Sequence, residues 1–353
     1  MSVTVTFHFA KNYGAFLQAW ALQRFIGESN TILDFNPGFQ YIQYYVGKRG
    51  KRLLPFFWRL IALWRYLRYG KFDERNKLRL SRKYFRLREI IKNPPETDIY
   101  IVGSDQVWNC KHVVFCKWLY FLEFGSPNKK RIAYAISIGM KEWPSSFIEE
   151  ILPQLKKFHA ISVREESTVS FFNSIGIENV VLTCDPTILH TAYVYRCNFS
   201  QVKYNCSGRI SVYLIYNTLE KNLISMQQFL KEKDTIELKL SNCNKNISVS
   251  QWLHNIDTSD AVITDSFHGT VFSILFHKQF VSLLSFLDGD ERLFSLLKKV
   301  KLEYRLLNGN ETKEKIEEIL YRPIDWEDVD KILEEWRIYS ASWLRDALKD
   351  NNK

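Results

Sequence analysis

Two side chains that can bind an anion follow predicted strands of this sequence. Arg164 ends the strand FHAISVRE, and a guanidinium binds carboxylate and phosphate groups through a bidentate fork. His268 lies between the strand AVITD and a helix that begins near Gly269, where backbone N–H groups and the helix dipole favour an anion. The alternative for Arg164 is a surface ion pair with Glu165 or Glu166. The other histidines lack such a setting, and we interpret them as structural.

Polar residues at other strand ends are placed to contact a hydroxyl group of a substrate. Asp105 and Asp265 would orient or deprotonate it, although Asp105 would equally cap the next turn. In the first strand-to-helix turn, Asn12 would hydrogen-bond a hydroxyl and Tyr13 lies beside it. Gly14 would allow close backbone approach, or would simply serve the turn itself.

Strands alternate with helices along the chain, which predicts parallel sheets covered on both faces. The first unit contains the strands SVTVTFHF, DIYIVGSD, KRIAYAISIG and FHAISVRE, and the helix AFLQAWALQRFIG. After a polar stretch, the pattern restarts at RISVYLIYN and continues to QFVSLLS. We therefore predict an α/β chain of two domains, residues 1–194 and 195–353. The last segment is amphipathic and helical, and such a tail can cross back onto the first domain.

Composition and charge exclude several classes of protein. The chain has 353 residues, of which 46% are hydrophobic, so it can form two domains with sizeable cores. Its six cysteines include no CxxC pair, so we expect no zinc site and reduced thiols in the cytoplasm. The sequence contains no GxGxxG or GxxxxGKS motif, no motif for binding nucleic acid, and no apolar run of the roughly 20 residues that span a bilayer.

Five segments, in this order and spacing, resemble the polysaccharide pyruvyltransferase family. They are KNYGA at 11–15, GSDQVWN at 103–109, SIG at 137–139, SVREEST at 162–168 and TDSFHGT at 264–270. The resemblance extends from about residue 8 to about residue 310 and includes NYGAFLQAWALQ and CDPTIL. Any one of these strings is weak evidence, but the ordered set is specific.

The resemblance implies two Rossmann-like domains in a GT-B-like arrangement, with the active site between them. It also implies a donor, phosphoenolpyruvate, and a glycan acceptor on which a cyclic pyruvate ketal forms. Phosphoenolpyruvate is then a co-substrate, and no cofactor is needed. Arg164 matches the arginine of the family's donor site, and His268 matches its active-site histidine. We therefore predict that these two residues and Asp105 are catalytic.

The sequence departs from the family at one donor position. Some branches carry an arginine two residues before the active-site histidine, where this chain has Ser266. Arg292 is our candidate for the missing cation, although it would equally be a solvated charge at a helix start. The predicted donor-binding residues are Arg164, Ser266, His268, Gly269 and Arg292, and the predicted acceptor-binding residues are Asn12, Tyr13, Gly14, Asp105 and Asp265. Asp185 and Pro186 also match the family, but we interpret them as an architectural stop between the domains.

One segment makes the protein basic. The net charge is +10 at pH 7, yet residues 48–88 contain 15 Lys and Arg against two acids, so the remainder is slightly acidic. Within an insertion at about 48–92, Trp58 and Trp64 alternate with Arg59, Arg65 and Arg68, a pattern that suits an anionic membrane surface. We therefore predict peripheral association with the inner face of the membrane. The alternative is that the apolar face of this segment packs on the first domain.

Two further functions fit the same sequence. A glycosyltransferase of this architecture would use a nucleotide sugar, and fold alone does not distinguish it from a pyruvyltransferase. A non-catalytic glycan-binding relative would explain the serine at position 266. The pyruvyltransferase is the interpretation that the ordered motifs favour.

Overall fold

The computed structural model describes residues 1–8, 12–35, 73–113, 116–199, 206–215, 224–238, 247–285 and 290–349. Its strands pair in parallel within two sheets, as the alternating pattern predicts. The first sheet has the order β2-β1-β3-β4-β5-β6. Its strands are β1 (Ser2–Val5), β2 (Asn30–Ile32), β3 (Ile99–Asp105), β4 (Lys130–Ile136), β5 (Ala160–Val163) and β6 (Val181–Leu182).

The second sheet has the order β11-β10-β9-β7-β8. In both sheets the first strand pairs with a neighbour on each side, which creates a switch in strand order where ligands of open α/β sheets usually bind. The two sheets confirm the prediction of two Rossmann-like units. The strands are β7 (Ile210–Tyr213), β8 (Thr235–Glu237), β9 (Ala261–Thr264), β10 (Gln279–Leu283) and β11 (Leu306–Leu307).

Helices cover the faces of both sheets and supply the residues that meet between them. In the first unit they are α1 (Tyr13–Ile26), α2 (Leu87–Lys92), α3 (Lys117–Tyr120), α4 (Ser145–Leu155) and α5 (Glu166–Ser174). The helix α6 (Ala192–Phe199) lies between the sheets in sequence, and the predicted domain boundary near residue 195 falls within it. The remaining helices are α7 (Ile224–Lys231), α8 (Val249–Thr258), α9 (Phe267–Leu275), α10 (Asp290–Lys299), α11 (Lys313–Tyr321) and α12 (Trp326–Leu348).

Aromatic side chains bind the two units together. Tyr13, the first residue of α1, stacks on Trp252 of α8 with ring centroids 5.2 Å apart. Its hydroxyl donates to the carbonyl oxygen of Ile247 at 3.1 Å. Tyr13 is fully buried, so the apolar core extends from one unit into the other.

The C-terminal helix α12 returns to the first unit. The Arg337 guanidinium donates to the Ile188 carbonyl at 2.8 Å, and the Ser340 hydroxyl accepts from the backbone N–H of Cys184 at 2.9 Å. Farther along α12, Trp343 packs against Tyr134 of β4. The predicted helical tail therefore crosses back onto the first sheet. Among the described residues, no helix combines the length and apolar character that crossing a membrane requires.

Candidate active site

Arg164 lies just after β5 and forms the centre of a buried charge cluster. Its Nη1 donates to Asp185 Oδ2 at 2.5 Å, and its Nη2 donates to Asp105 Oδ1 at 3.3 Å. The guanidinium also stacks over the ring of Phe267 at 4.6 Å, so an arginine of the first unit contacts the first residue of α9 in the second. Burial alone would lower the pKa of Arg164, but the neighbouring carboxylates outweigh it and raise that pKa. The pairing with Glu165 considered from the sequence is present at 3.7 Å, but its expected surface location is wrong, because Arg164 is only 3% exposed.

Asp185 connects this cluster to the chain segment between the units. It caps the short 3-10 helix Pro186–Leu189 by accepting from the Thr187 backbone N–H at 3.0 Å. The hydroxyls of Thr187 and Ser104 donate to its two oxygens at 2.6 and 3.0 Å. Burial would raise the pKa of Asp185, but His268, Arg164 and these donors together lower it far below its ordinary value. The architectural interpretation is thus incomplete, since Asp185 both caps a helix and holds Arg164.

Asp105 occupies the more open side of the cluster. It is the last residue of β3 and has φ +74°, a left-handed conformation that aspartate tolerates better than most residues. Its Oδ1 accepts from the Gln106 backbone N–H at 2.8 Å and lies 3.7 Å from Arg292 Nη1. Burial would raise the pKa of Asp105, but Arg164, His268 and Arg292 lower it below the usual range. The carboxylate both caps the turn and faces cations of the two units.

His268 comes from the first turn of α9 and faces the first unit. Its Nε2 lies 3.7 Å from Asp185 Oδ1, which is beyond hydrogen-bond length. A Cβ atom added to Gly14 would lie 2.0 Å from His268 Nδ1, so only glycine fits there. The N-termini of α1 and α9 therefore touch at this point. Asn12 accepts from the backbone N–H groups of Gly14 and Ala15 and caps α1.

The remaining predicted residues make their contacts outside the charge cluster. Ser266 caps α9 by accepting from the Gly269 backbone N–H at 3.3 Å, and a Cβ at Gly269 would lie 2.3 Å from Thr264 Oγ1. Asp265 accepts from the Ile215 backbone N–H at 2.7 Å, so it ties β9 to the segment after β7. Tyr13 lies in the packing between the units rather than in the charge cluster. The cluster thus brings together Arg164, Asp105, His268 and Arg292 from the predicted set.

Sequence reasoning did not assign a role to Glu165. This residue precedes α5 and is 2% exposed, and its Oε1 lies 3.7 Å from Arg164 Nε. The Thr168 hydroxyl donates to its other oxygen at 3.4 Å. Burial raises the pKa of Glu165, and the opposing effect of Arg164 does not cancel that rise. The only sequence signal was its position beside Arg164 at a strand end.

Three buried polar atoms of the cluster have no hydrogen-bond partner. They are Arg164 Nε, Glu165 Oε1 and His268 Nε2. Buried polar groups are rarely left unsatisfied, and unpaired ones often mark places where a ligand binds. The described residues contain no group of three or more His, Cys, Asp or Glu side chains arranged to hold a metal ion. The arrangement instead suits an anion that reaches the two arginines and the histidine.

Two parallel sheets with helices on both faces and a charged site between them define a GT-B-like protein with two Rossmann-like domains. A solved structure of Arabidopsis thaliana UGT89C1 has 8% identity and a TM-score of 0.52, with 99% of each chain covered. A putative UDP-N-acetylglucosamine 2-epimerase from Listeria monocytogenes has 12% identity and a TM-score of 0.51, covering 99% of this chain and 95% of its own. These likenesses confirm the predicted fold.

The chain belongs to the polysaccharide pyruvyl transferase family, whose model matches residues 12–285. The matched range begins at the N-cap of α1 and ends just after β10, so it contains nearly the whole charge cluster. Arg292 lies beyond its end. No curated protein matches the chain in sequence. The protein is therefore a member of a transferase family, as the five motifs predict.

Proposed function

We propose that the protein transfers the pyruvyl carbon skeleton of phosphoenolpyruvate to two hydroxyls of a glycan, forming a cyclic ketal and releasing phosphate. The observation that supports this proposal is the meeting of Arg164, His268 and Arg292, from both domains, at one buried cluster in which Arg164 Nε and His268 Nε2 have no hydrogen-bond partner. A donor with a phosphate and a carboxylate needs such cationic groups at two points.

The reaction needs a proton at the donor's C3 before a hydroxyl adds at C2. The first hydroxyl oxygen forms a C–O bond to C2 and loses its proton to a base. The second hydroxyl oxygen then bonds to C2 while the bond from C2 to the phosphate oxygen breaks. The two hydroxyls lose two protons in total. One proton is accounted for by the proton that C3 gains, and the other is carried away by the released phosphate.

The charges of the cluster suggest which residue performs each step. His268 lies at the N-terminus of α9, where the helix dipole favours the leaving phosphate. Asp105, with its lowered pKa, is ionised at neutral pH and is the group that we propose to accept a proton from the acceptor hydroxyl. Glu165, with its raised pKa, retains a proton more readily and is our candidate donor to C3.

Because position 266 is a serine in this chain, the second cation of the proposed donor site is Arg292. Arg292 is in the first turn of α10 and is almost as buried as Arg164, so a solvated surface charge does not describe it. Its Nη1 lies 3.7 Å from Asp105 Oδ1, so its guanidinium reaches the same cluster as Arg164. We propose that Arg292 performs the role of the arginine found in other branches.

Phosphate release tests the proposed reaction. The purified protein is incubated with phosphoenolpyruvate and a panel of lipid-linked or nitrophenyl sugars, and we expect phosphate only when donor and a suitable sugar are both present. His268→Gln should reduce the rate by roughly 10²–10⁴-fold without unfolding the protein. Turnover of a nucleotide sugar in place of phosphoenolpyruvate would instead indicate a glycosyltransferase, and silence with both donors a binding protein.

We also propose a lipid-linked or capsular or exopolysaccharide precursor as the acceptor and peripheral attachment to the inner face of the membrane. The aromatic and arginine-rich segment behind this proposal lies outside the described residues. Co-sedimentation with anionic vesicles tests it, comparing the wild type with a variant in which Arg59, Arg65 and Arg68 become Gln. Unchanged binding by the variant would contradict attachment through this segment.

A further inference from the structure

A second basic cleft lies at the opposite end of α1 from the candidate active site. It has a volume of about 710 Å³ and is lined by the C-terminal half of α1, the segment around Lys77, α6 and the C-terminal helix α12. Gly14, which contacts His268, and Arg24, which lines the cleft, are ten residues apart on α1. At 1.5 Å per residue this separation is about 15 Å along the helix, so the two sites are distinct.

Four cations and a single carboxylate line this cleft. The cations are Arg24, Lys77, Arg79 and Arg345, and the carboxylate is Glu28. Within the described part of the chain, none of the four cations forms an ion pair. Their hydrogen bonds go to neutral oxygens instead: Arg24 to the Asn198 side chain at 3.5 Å, Lys77 to the Asn198 carbonyl at 3.0 Å, and Arg79 to the Gly27 carbonyl at 2.5 Å.

Some exposed cations elsewhere in the protein do form ion pairs. Lys298 pairs with Glu166 at 3.0 Å, and Lys301 pairs with Asp328 at 2.9 Å. The α1 dipole accounts for one cation near its C-terminus, but not for four that arrive from three separate segments. Four positive charges outnumber the single carboxylate of Glu28 in the cleft and repel one another, so the cleft is electrostatically suited to an added anion.

Aromatic rings form the floor beneath these charges. The Arg24 guanidinium lies 5.4 Å from the centroid of Trp20, and that of Arg345 lies 5.1 Å from the centroid of Phe25. His190 Nε2 donates to the Ala21 carbonyl oxygen at 2.9 Å, and burial lowers the pKa of His190, which keeps the ring uncharged at pH 7. The rings therefore hold these two guanidinium groups in place at the cleft.

We propose that this cleft binds a phosphate or diphosphate group. Guanidinium groups bind phosphate oxygens in pairs, and stacked arginines retain that fork while covering a ring. Lys77 and Arg79 belong to the basic segment that the sequence singles out, so part of that segment's charge has a defined place in the fold. The chemistry could come from a soluble diphosphate or from a phospholipid headgroup.

Matched charge-removal variants test the proposal. The test variant changes Arg24, Lys77, Arg79 and Arg345 to Gln. The control changes Lys83, Arg86, Arg88 and Lys92 to Gln, four exposed cations that lie outside the cleft and remove the same net charge. Calorimetry measures binding of inorganic pyrophosphate, and co-sedimentation measures binding to vesicles of phosphatidylglycerol in phosphatidylcholine.

We expect the test variant to bind at least tenfold more weakly than the wild type, and the control to bind as the wild type does. Loss of pyrophosphate binding indicates a soluble source, and loss confined to vesicles indicates a headgroup. Equal binding by test and control variants in both assays overturns the proposal. If the fourfold variant fails to fold, Arg345→Glu alone decides, because Arg345 lies on the exposed surface of α12, and it should weaken binding at least threefold.

Discussion

The two ends of the first sheet each contain a buried arginine, in opposite surroundings. Arg131, near the start of β4, donates to the carbonyl oxygens of the loop between Leu122 and Lys129, at distances of 2.8–3.3 Å. Arg164, just after β5, faces the carboxylates of Asp105 and Asp185, and its Nε has no hydrogen-bond partner. Arg131 is satisfied by fixed backbone, whereas Arg164 is held by carboxylates whose charge a bound anion would oppose.

Replacing each arginine with lysine should separate these two roles most clearly. Arg164→Lys retains the charge but loses the fork, so we expect kcat/KM to fall by roughly 10³-fold while the protein stays folded. Arg131→Lys should lower the free energy of unfolding by roughly 2–4 kcal/mol, with normal turnover by the folded fraction. Steady-state phosphate release and urea unfolding measure both variants. Similar losses of activity in the two variants would contradict the different roles given to Arg164 and Arg131.

Glu165→Gln tests the proposed proton donor at the functional end. The amide preserves size and polarity but cannot supply the proton to C3, so kcat should fall by roughly 10²-fold with little change in the affinity for phosphoenolpyruvate. An acid that must be protonated makes the rate fall as pH rises, and this fall should disappear from the residual rate of the variant. A kcat within threefold of the wild type would remove Glu165 from the mechanism.

The contact between the two helix starts predicts a smaller effect. Gly14→Ala would place a methyl group 2.0 Å from His268 Nδ1 and must displace the ring, so we expect roughly tenfold lower kcat. Gly176→Ala is the control, because Gly176 also lies near the first sheet, has φ +77° and has no atom within 4 Å of the added methyl. It should cost roughly 1 kcal/mol of stability and no activity. Equal kcat values for the two variants would contradict the role given to this contact.

The pH dependence of thermal stability is the smallest effect that we expect. Because burial raises the pKa of Glu165 in the folded state, the unfolded chain releases that proton first, and the folded state loses stability as pH rises between the two pKa values. Glu165→Gln should therefore raise Tm at pH 8 and leave it unchanged at pH 4. Glu123→Gln, which removes a partner of Lys157 near Arg131, should not raise Tm at pH 8. Equal Tm differences at both pH values would be inconsistent with a buried acid.

The sequence was sufficient for the architecture and for much of the candidate site. Alternating strands and helices predict both parallel sheets, and the strand ends locate Arg164, Asp105 and His268. These signals work because local periodicity and strand-end position are properties of consecutive residues. The short strand β11 and the helix α11 were missed, since two strand residues and a charged helix give weak periodic signals.

What sequence could not supply was which distant residues touch. The sequence suggests an architectural stop between the domains at Asp185, whereas its pairing with Arg164 depends on the parallel register of β5 and β6. Likewise, nothing in the order of residues indicates that Gly14 fits against His268, 254 positions later. Tyr13 was expected to face an acceptor, yet its size and ring chemistry serve the core between the units equally well.

The helix α12 belongs to the second unit by chain order, but its C-terminal half contacts the first unit. Its Ser340 holds the residue that precedes Asp185, and its Arg337 holds the short helix that Asp185 caps. A chimera that exchanges second domains between family members would therefore replace α12 and lose its contacts with the residues on either side of Asp185. Designers of such hybrids should keep the contacts of residues 337–343 with the first domain, so that the second domain is exchanged without loosening the anchoring of Asp185.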